Sequence, residues 1–364
     1  MTPRVSIIIV SYNHARYLRA CFASLEKIDY PRDCLQITLV DNKSADDTVR
    51  LAQTELLDSS LQRTISGLPA RLIASPTNTG FAGGNNMAMR EAIEAGFDYV
   101  FLLNPDTEVE PTFLTEAVKM AESDSKIAAV QPLLLLHPDT DRINSIGNAI
   151  HFLGFGYCQG YREKWDPRRI PELDGRDIAT ASGAGVLFRC ESLRKVGLFD
   201  ETLFAYHEDL DLSWRLRLAG FRVVLAPKSV VYHKYEFSRS IKKYYWMERN
   251  RYLVHAKNLK IPTLLLIAPA MILMEIGLWL FAFRSGWWRE KTRVAAWLWN
   301  PLNWPPILRA RRQIQKTRVV PDRDIVKYFT AEISYQEISN PLLKYVGNPL
   351  MKLYWAIVRP LIRW

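Results

Sequence analysis

Four times within the first 130 residues, a short apolar run stops at a cluster of polar side chains and an amphipathic segment follows. Residues 5–10 (VSIIIV) form an apolar, largely β-branched run that ends at Ser11, Tyr12 and Asn13. Such a run, too short for a helix of its own, reads as a strand buried on both faces. Tyr17, Leu18, Cys21, Phe22 and Leu25 then fall at helical spacing within residues 15–28. Residues 37–40 stop at Asp41 and Asn42, ahead of a helix carrying Val49, Leu51, Ala52 and Leu56 that Ser44 or Asp46 can cap. A strand over 71–74 precedes the glycine-rich stretch 78–86 and a helix over 86–95. The next strand, 99–103, stops at Asn104, Pro105 and Asp106, and a helix over 111–122 and a strand over 127–130 complete the series. This alternation predicts a parallel sheet with crossover helices. In open sheets of that kind the ligand lies beyond the carboxyl ends of the strands, where the clusters at 11–13, 41–44 and 104–106 all fall. Residues 131–180 read as an irregular excursion beside that site. Order returns with a strand over 184–189, a helical turn over 191–196, a helix over 208–219 and a strand over 222–232.

The chain changes character near residue 238. Residues 1–238 carry 26 Lys and Arg against 31 Asp and Glu, whereas residues 239–364 carry 22 against 7, with nine of the eleven Trp. Two parts are therefore expected, a mildly acidic domain over 1–238 and a basic, helical, membrane-associating tail over 239–364. The basic residues flank apolar runs rather than a recognition motif, which points to a membrane surface and away from nucleic acid. In residues 261–283 the one charge is Glu275. As a helix this stretch is ~34 Å long, enough for a ~30 Å hydrocarbon core. Pro262, Pro269 and Glu275 argue against a plain span. Lys257 and Lys260 before it, and Arg284, Arg289, Lys291 and Arg293 after it, give no orientation. A re-entrant or in-plane hairpin fits better, with both ends on the cytoplasmic face of the membrane and Trp287, Trp288, Trp297, Trp299 and Trp304 at headgroup level beside Arg309, Arg311 and Arg312. The four cysteines show no CxxC or zinc spacing and read as buried thiols, and no signal-peptide pattern precedes residue 5. A reducing, cytoplasmic setting is expected for the first part.

Several clusters carry chemistry. Asp106, aimed off a strand end, suits a hard divalent ion, and it equally suits capping of the next helix. Asp41 can accept hydrogen bonds from a nucleobase or ribose. Gly80, Gly83 and Gly84 ahead of a helix would let backbone approach a phosphate, although neither GxGxxG nor a P-loop is present and a structural turn is the plainer reading. His207, Glu208, Asp209 and Asp211 crowd one helix start. Asp209 and Asp211, two residues apart, point in different directions, so one can act as a base while the other holds Arg215. His233 ends the last strand of the first part; an isolated His is more often a satisfied polar group than a ligand.

Taken together, VSIIIVSYN, VDNKSADDT, NTGFAGGNN, LLNPDTEV, SGAGVLFR and FDETLFAYHEDLDLSWRLRLAGFRV followed by YH run in order over residues 4–235. They resemble the inverting family 2 glycosyltransferases of the GT-A fold, most closely the rhamnosyltransferase-like branch that builds bacterial surface polysaccharides. The resemblance implies an α/β nucleotide-sugar-binding fold with a central, mostly parallel sheet. A nucleotide-diphosphate sugar would lie along Ser11, Tyr12, Asn13, Asp41, Asn42, Asn78, Gly80, Phe81, Asn85, Asn86, Asn104 and Asp106. A Mg²⁺ or Mn²⁺ ion would be held by Asp106, with His233 as a second ligand. Asp209 matches the family's catalytic base, and Ser182, Gly183, Glu208, Asp211 and Trp214 would form the acceptor side. The acceptor implied is a lipid-linked saccharide, and L-rhamnose is the sugar the branch suggests. The family's Asp-X-Asp motif stands here as Asn104-Pro105-Asp106, with one carboxylate. Two other readings are direct transfer to polyprenyl phosphate, which would need no base, and a non-catalytic membrane scaffold that binds sugar nucleotides.

Overall fold

The computed structural model describes residues 1–58, 63–64, 67–235, 244–334 and 341–364. The first apolar run is β1 (Val5–Ser11), and with β2 (Leu35–Asp41), β3 (Ala70–Ala74) and β4 (Tyr99–Leu103) it forms the parallel half of the main sheet in the order β3-β2-β1-β4. Five of the seven β1 side chains are nonpolar and all but Val10 are buried, as a strand covered by helices on both faces requires. The rest of the chain adds β5 (Thr107–Val109), β6 (Ile127–Leu136), β7 (Ile143–Ser145), β8 (Asn148–His151), β9 (Gly156–Cys158), β10 (Gly185–Arg189), β11 (Arg222–His233) and β12 (Phe329–Thr330). Past β4 the order is β10-β6-β11-β5, with β10 antiparallel to both neighbours, β6 parallel to β11, and β7 paired on β6. A small second sheet has the order β9-β8-β12.

Three registers bring the strand ends together. Ser11 lies opposite Asp41, Gly185 opposite Leu103, and His233 opposite Thr107. The expected fold class is therefore observed, with two local corrections. β6 continues to Leu136, so residues 131–136 belong to the sheet and not to the excursion. Pro132 is accommodated there because β11 shifts register opposite it, between Ala226 and Val230. The second correction concerns the glycine-rich stretch, which lies inside a helix rather than ahead of one.

The helices flanking the sheet are α1 (Ala15–Leu25), α2 (Gly80–Glu94), α3 (Phe113–Glu122), α4 (Cys190–Val196) and α5 (Glu208–Leu218). The remainder forms α6 (Tyr244–Asn258), α7 (Ile261–Arg284), α8 (Trp288–Trp299), α9 (Trp304–Thr317) and α10 (Asn348–Val358). The expected boundary at 238/239 lies outside the described residues. All four cysteines are free, Cys21 and Cys190 buried and Cys34 and Cys158 partly so.

These later helices pack against the first part as one body. One apolar core contains Phe152, Leu203, Leu210 and Trp214 from the first part together with Leu253, Ile267, Ile314, Phe329 and Trp355 from the second. Asp211, 0% exposed, accepts hydrogen bonds from Arg215 Nε (2.9 Å) and Asn258 Nδ2 (2.9 Å), and Lys257 Nζ lies 3.0 Å away. The 24-residue α7 is long and apolar enough to cross a membrane by length and composition, with a mean hydropathy of 2.2 over an 18-residue stretch. It is one continuous helix begun by Pro262 at its first turn, so the chain does not fold back within 261–283; it turns at Gly286, φ +76°. Glu275 faces inward, where Lys291 Nζ (2.7 Å) and Arg251 Nη2 (3.3 Å) pair with it, which removes the cost of a charge on that helix.

Because the core is shared, truncation after residue 258 is expected to leave an aggregating, non-cooperatively melting protein rather than a soluble domain. Asp211→Ala leaves Lys257 with Asp200 as its remaining carboxylate and Arg215 with the carbonyls of Val196, Gly197 and Leu198, so the expected cost in denaturant unfolding is at the lower end of the about 3–5 kcal/mol of a broken buried pair.

Candidate active site

Two strand ends build one wall. β4 runs into Asn104, Pro105 and Asp106. His233 closes β11 opposite Thr107, which sets its Nε2 3.4 Å from Asp106 Oδ1. Both residues are 6% exposed. Asn144 Oδ1 lies 3.0 Å from His233 Nδ1, and with the proton on Nδ1 the Nε2 lone pair turns toward Asp106. In that tautomer the imidazole nitrogen and the carboxylate oxygen together suit a metal ion. Among the described residues no group of three or more His, Cys, Asp and Glu gathers into a metal cage. The pair therefore fits a hard ion that draws its other ligands from phosphate oxygens and water.

The second wall joins β2 to α2. Asn42, 2% exposed, uses its whole amide: Oδ1 accepts from Thr79 N (2.9 Å) and Oγ1 (3.1 Å), while Nδ2 donates to Gly80 O (2.8 Å) and Asn78 Oδ1 (3.2 Å). Asn78 Oδ1 also accepts from Gly80 N at 2.9 Å. Gly80 has φ +73°, and a Cβ there would lie 2.3 Å from Phe204 O. A Cβ on Gly83 would meet Thr79 at 2.5 Å, and one on Gly84 would meet Val10 at 2.7 Å. Gly80 seats α2 on the 204 loop and Gly84 seats it on β1, while Gly83 makes room for Thr79 at the start of the same helix, so close packing accounts for all three glycines. Asn85 Nδ2 donates to Phe81 O (2.9 Å), and Asn86 bonds Phe199 through both amide atoms and reaches Glu201 Oε1. The amides of Asn42 and Asn86 are thus spent on the framework around the crevice, as are Asn78 Oδ1 and Asn85 Nδ2. Asp41 is buried at the end of β2 and accepts from Ser44 N at 3.2 Å. Asn13, φ +59°, bridges to Ser44 Oγ (2.9 Å) and Ala45 N (2.7 Å); Ser11 Oγ is 3.4 Å from Thr48 Oγ1, and Tyr12 is exposed.

The third wall is the start of α5. Phe204, Tyr206 and His207 have φ of +63°, +69° and +69°, three side-chain-bearing residues in the left-handed region within four positions. Three contacts hold this loop. Gly80 lies against Phe204, whose carbonyl accepts from Ala82 N (3.1 Å). Asn250 Nδ2 of α6 donates to the carbonyls of Leu203 (2.8 Å), Ala205 (3.0 Å) and Tyr206 (2.7 Å). Trp246 stacks on Phe204 with ring centroids 4.7 Å apart. His207 Nε2 is 2.9 Å from Gly154 O, and burial pushes its pKa down to about 4, so it is neutral near pH 7.

From that loop Asp209 turns back toward the crevice. Its Oδ2 accepts from Gly183 N (3.0 Å) and its Oδ1 from Leu210 N (2.7 Å). Burial raises its pKa above the usual carboxylate range, against the opposing pull of those two N–H groups. A Cβ built on Gly183 would lie 3.0 Å from the Phe81 ring and 3.7 Å from Asp209, so Gly183 is the close-contact point between α2 and the carboxylate. Ser182 is fixed by Gln131 Oε1, which accepts from its N–H at 2.8 Å. Glu208 is buried in the first turn of α5.

Two residues expected on the acceptor side lie elsewhere. Asp211 is enclosed by Arg215, Lys257 and Asn258, and Trp214 is 1% exposed and packs edge-on against His255 and Phe329. Both face the later helices because they sit across α5 from the crevice. Sequence reasoning missed Asn144 and Asn250, polar residues with no motif around them, and gave no role to Glu201 inside the run that begins at Phe199. A wholly buried Asn becomes visible only once its partners are in place.

The fold is that of a GT-A glycosyltransferase. The mannosyltransferase PcManGT of Pyrobaculum calidifontis, solved with GDP-Man and Mn²⁺, shares the fold at a TM-score of 0.50 and 18% identity, covering 100% of this chain and 85% of that one. The S. aureus TarS 1–349 structure with UDP-GlcNAc does so at a TM-score of 0.51 and 16% identity, covering 98% and 91%. The chain belongs to glycosyltransferase family 2: the model described as "Glycosyltransferase like family 2" matches residues 3–252. Among curated relatives, the N-acetylglucosaminyl-diphospho-decaprenol L-rhamnosyltransferase of Mycobacterium tuberculosis is 27% identical over 250 residues, 64% of this chain and 76% of that protein. Rhamnosyltransferase WbbL of Escherichia coli K12 is 26% identical over 230 residues, 61% and 80%. The protein is therefore a glycosyltransferase.

Gly80 and Gly96 offer a matched test of the junction, with φ of +73° and +75°. Gly96→Ala meets no heavy atom within 4 Å and should cost only the left-handed backbone, about 1–2 kcal/mol. Gly80→Ala must also push the Phe204 carbonyl away, and denaturant unfolding should show a clearly larger loss.

Proposed function

We propose that the protein transfers a sugar, with inversion, from a nucleotide-diphosphate donor to a hydroxyl of a lipid-linked saccharide at a membrane surface, in the building of a surface polysaccharide. The observation that carries this reading is the part-buried Asp209 carboxylate, oriented by two backbone N–H groups and raised in pKa by burial. A base poised in this way can accept a proton from an acceptor hydroxyl as that oxygen attacks the anomeric carbon. The bond to the diphosphate then breaks on the opposite face. Asp41 is suited to the base or ribose of the donor. Asp106 and His233 would hold Mg²⁺ or Mn²⁺ on the diphosphate, and the ion's charge when bound favours departure of the nucleoside diphosphate. The M. tuberculosis and E. coli relatives support L-rhamnose as the sugar and, for the former, a polyprenyl-linked acceptor.

Exposed apolar residues on α7 (Leu265, Ile272, Ile276, Leu280) and on α10 (Leu350, Leu353, Ile357) support membrane attachment. With Glu275 turned inward, α7 can lie in the plane of the headgroups, which keeps both of its ends on the cytoplasmic face.

Asp209→Asn should keep donor binding and melting temperature while losing about 10²–10⁴ in transfer rate. Undiminished turnover would remove the assignment. Asp106→Asn should abolish the Mn²⁺-dependent part of nucleoside-diphosphate binding in calorimetry and leave the metal-free part. Equal Mn²⁺ dependence in variant and parent would rule out the proposed ligand.

A further inference from the structure

Between α7 and the C-terminal segment lies a groove of about 800 Å³ that the transfer reaction as described does not use. Its walls are apolar, with Ala270, Met274 and Gly277 of α7 facing Val346, Leu350 and Tyr354. Its outer rim is continuous with the exposed apolar stripes of α7 and α10, and therefore with the face offered to the membrane. At the inner end it reaches His207, two residues before Asp209. The polar groups of its floor are already matched: Glu248 accepts from Arg251 Nε (2.8 Å) and Nη2 (2.7 Å), and Lys291 bonds Glu248 and Glu275. A floor whose charges cancel can meet an apolar ligand with no unpaired ion left facing it.

A groove with apolar walls that opens on the exposed stripes of α7 and α10 and reaches the loop leading into α5 suits a long apolar chain. We propose that the groove takes the polyprenyl chain of the lipid-linked acceptor, threading it between α7 and α10 so that its saccharide end emerges beside Asp209. This rests on the reading of the acceptor as lipid-linked and adds the place where the lipid sits. A bulk phospholipid acyl chain would share the apolar walls, but it would gain nothing from a groove that runs to the catalytic loop. The isoprenoid chain would then fix the distance between carrier and base, and chain length would be read through KM.

Gly277 makes this testable with little damage to the fold, because a Cβ there meets no heavy atom within 4 Å and opens onto the groove. Replacing Gly within a helix also favours the helix. The experiment uses full-length protein in phosphatidylethanolamine–phosphatidylglycerol nanodiscs, labelled by a diazirine-bearing C20 prenyl diphosphate. Cross-links are expected in peptides covering 269–281 and 342–357 and should be suppressed by excess unlabelled prenyl diphosphate. Gly277→Phe should reduce them at least tenfold, as should Val346→Trp on the opposite wall. Leu280→Phe, on the exposed side of α7, should keep them. Labelling unchanged in both groove variants, or suppressed equally by added phosphatidylglycerol, would overturn the proposal. Groove labelling without sugar transfer to any prenyl-linked acceptor would support the groove and count against the proposed function alone.

Discussion

Asp211 is the interaction on which the rest of the structure depends. It is a carboxylate with no exposed surface, gripped by Arg215 on its own helix and by Lys257 and Asn258 on α6. Lys257 and Asn258 are buried too, so none of these groups can be satisfied by water if the contact is lost. The node fixes the rotation of α5 about its axis. Once Asp211 faces α6, Asp209 two residues earlier must face elsewhere, and there it meets Gly183 and the crevice. One helix therefore carries one carboxylate locked in the interior and one turned to the crevice, and the first fixes the direction of the second.

The same coupling explains why the later helices are more than an attachment device. Asn250 and Trp246 hold the loop of left-handed residues that leads into α5, and a loop strained in this way persists only where its surroundings over-determine it. The helices with exposed apolar faces share one core with those that hold this loop. The excess positive charge of the second part remains suited to an anionic surface, but part of it is spent internally: Arg251, Lys257 and Lys291 are all buried in ion pairs.

Much of this was legible in the sequence. The unbroken run at residues 5–10 and the polar clusters closing each strand sufficed for the parallel half of the sheet, and the spacing of Asp209 and Asp211 sufficed to turn them in different directions. What stayed hidden has a common physical origin, side chains whose function depends on distant partners. Gly83 and Gly84 look the same in sequence whether they approach a phosphate or a strand. Trp214 gives no sign of which helices will cover it. Gln131 and Pro132 look like the end of a strand until a register shift in β11 is known. Asn144 and Asn250 have no pattern at all.

Whether Asp209 accepts the proton is read most directly from the pH dependence of kcat/KM for the full-length enzyme, which reports ionisations of the free protein. The carboxyl must be ionised to act, so activity should fall as pH is lowered through its pKa. Burial should place that fall above the ordinary Asp value of about 3.9. The result expected is a single acid limb displaced upward, absent from the residual activity of the Asn variant at position 209. An identical limb in that variant, or a rate independent of pH across the acid range, would contradict the assignment.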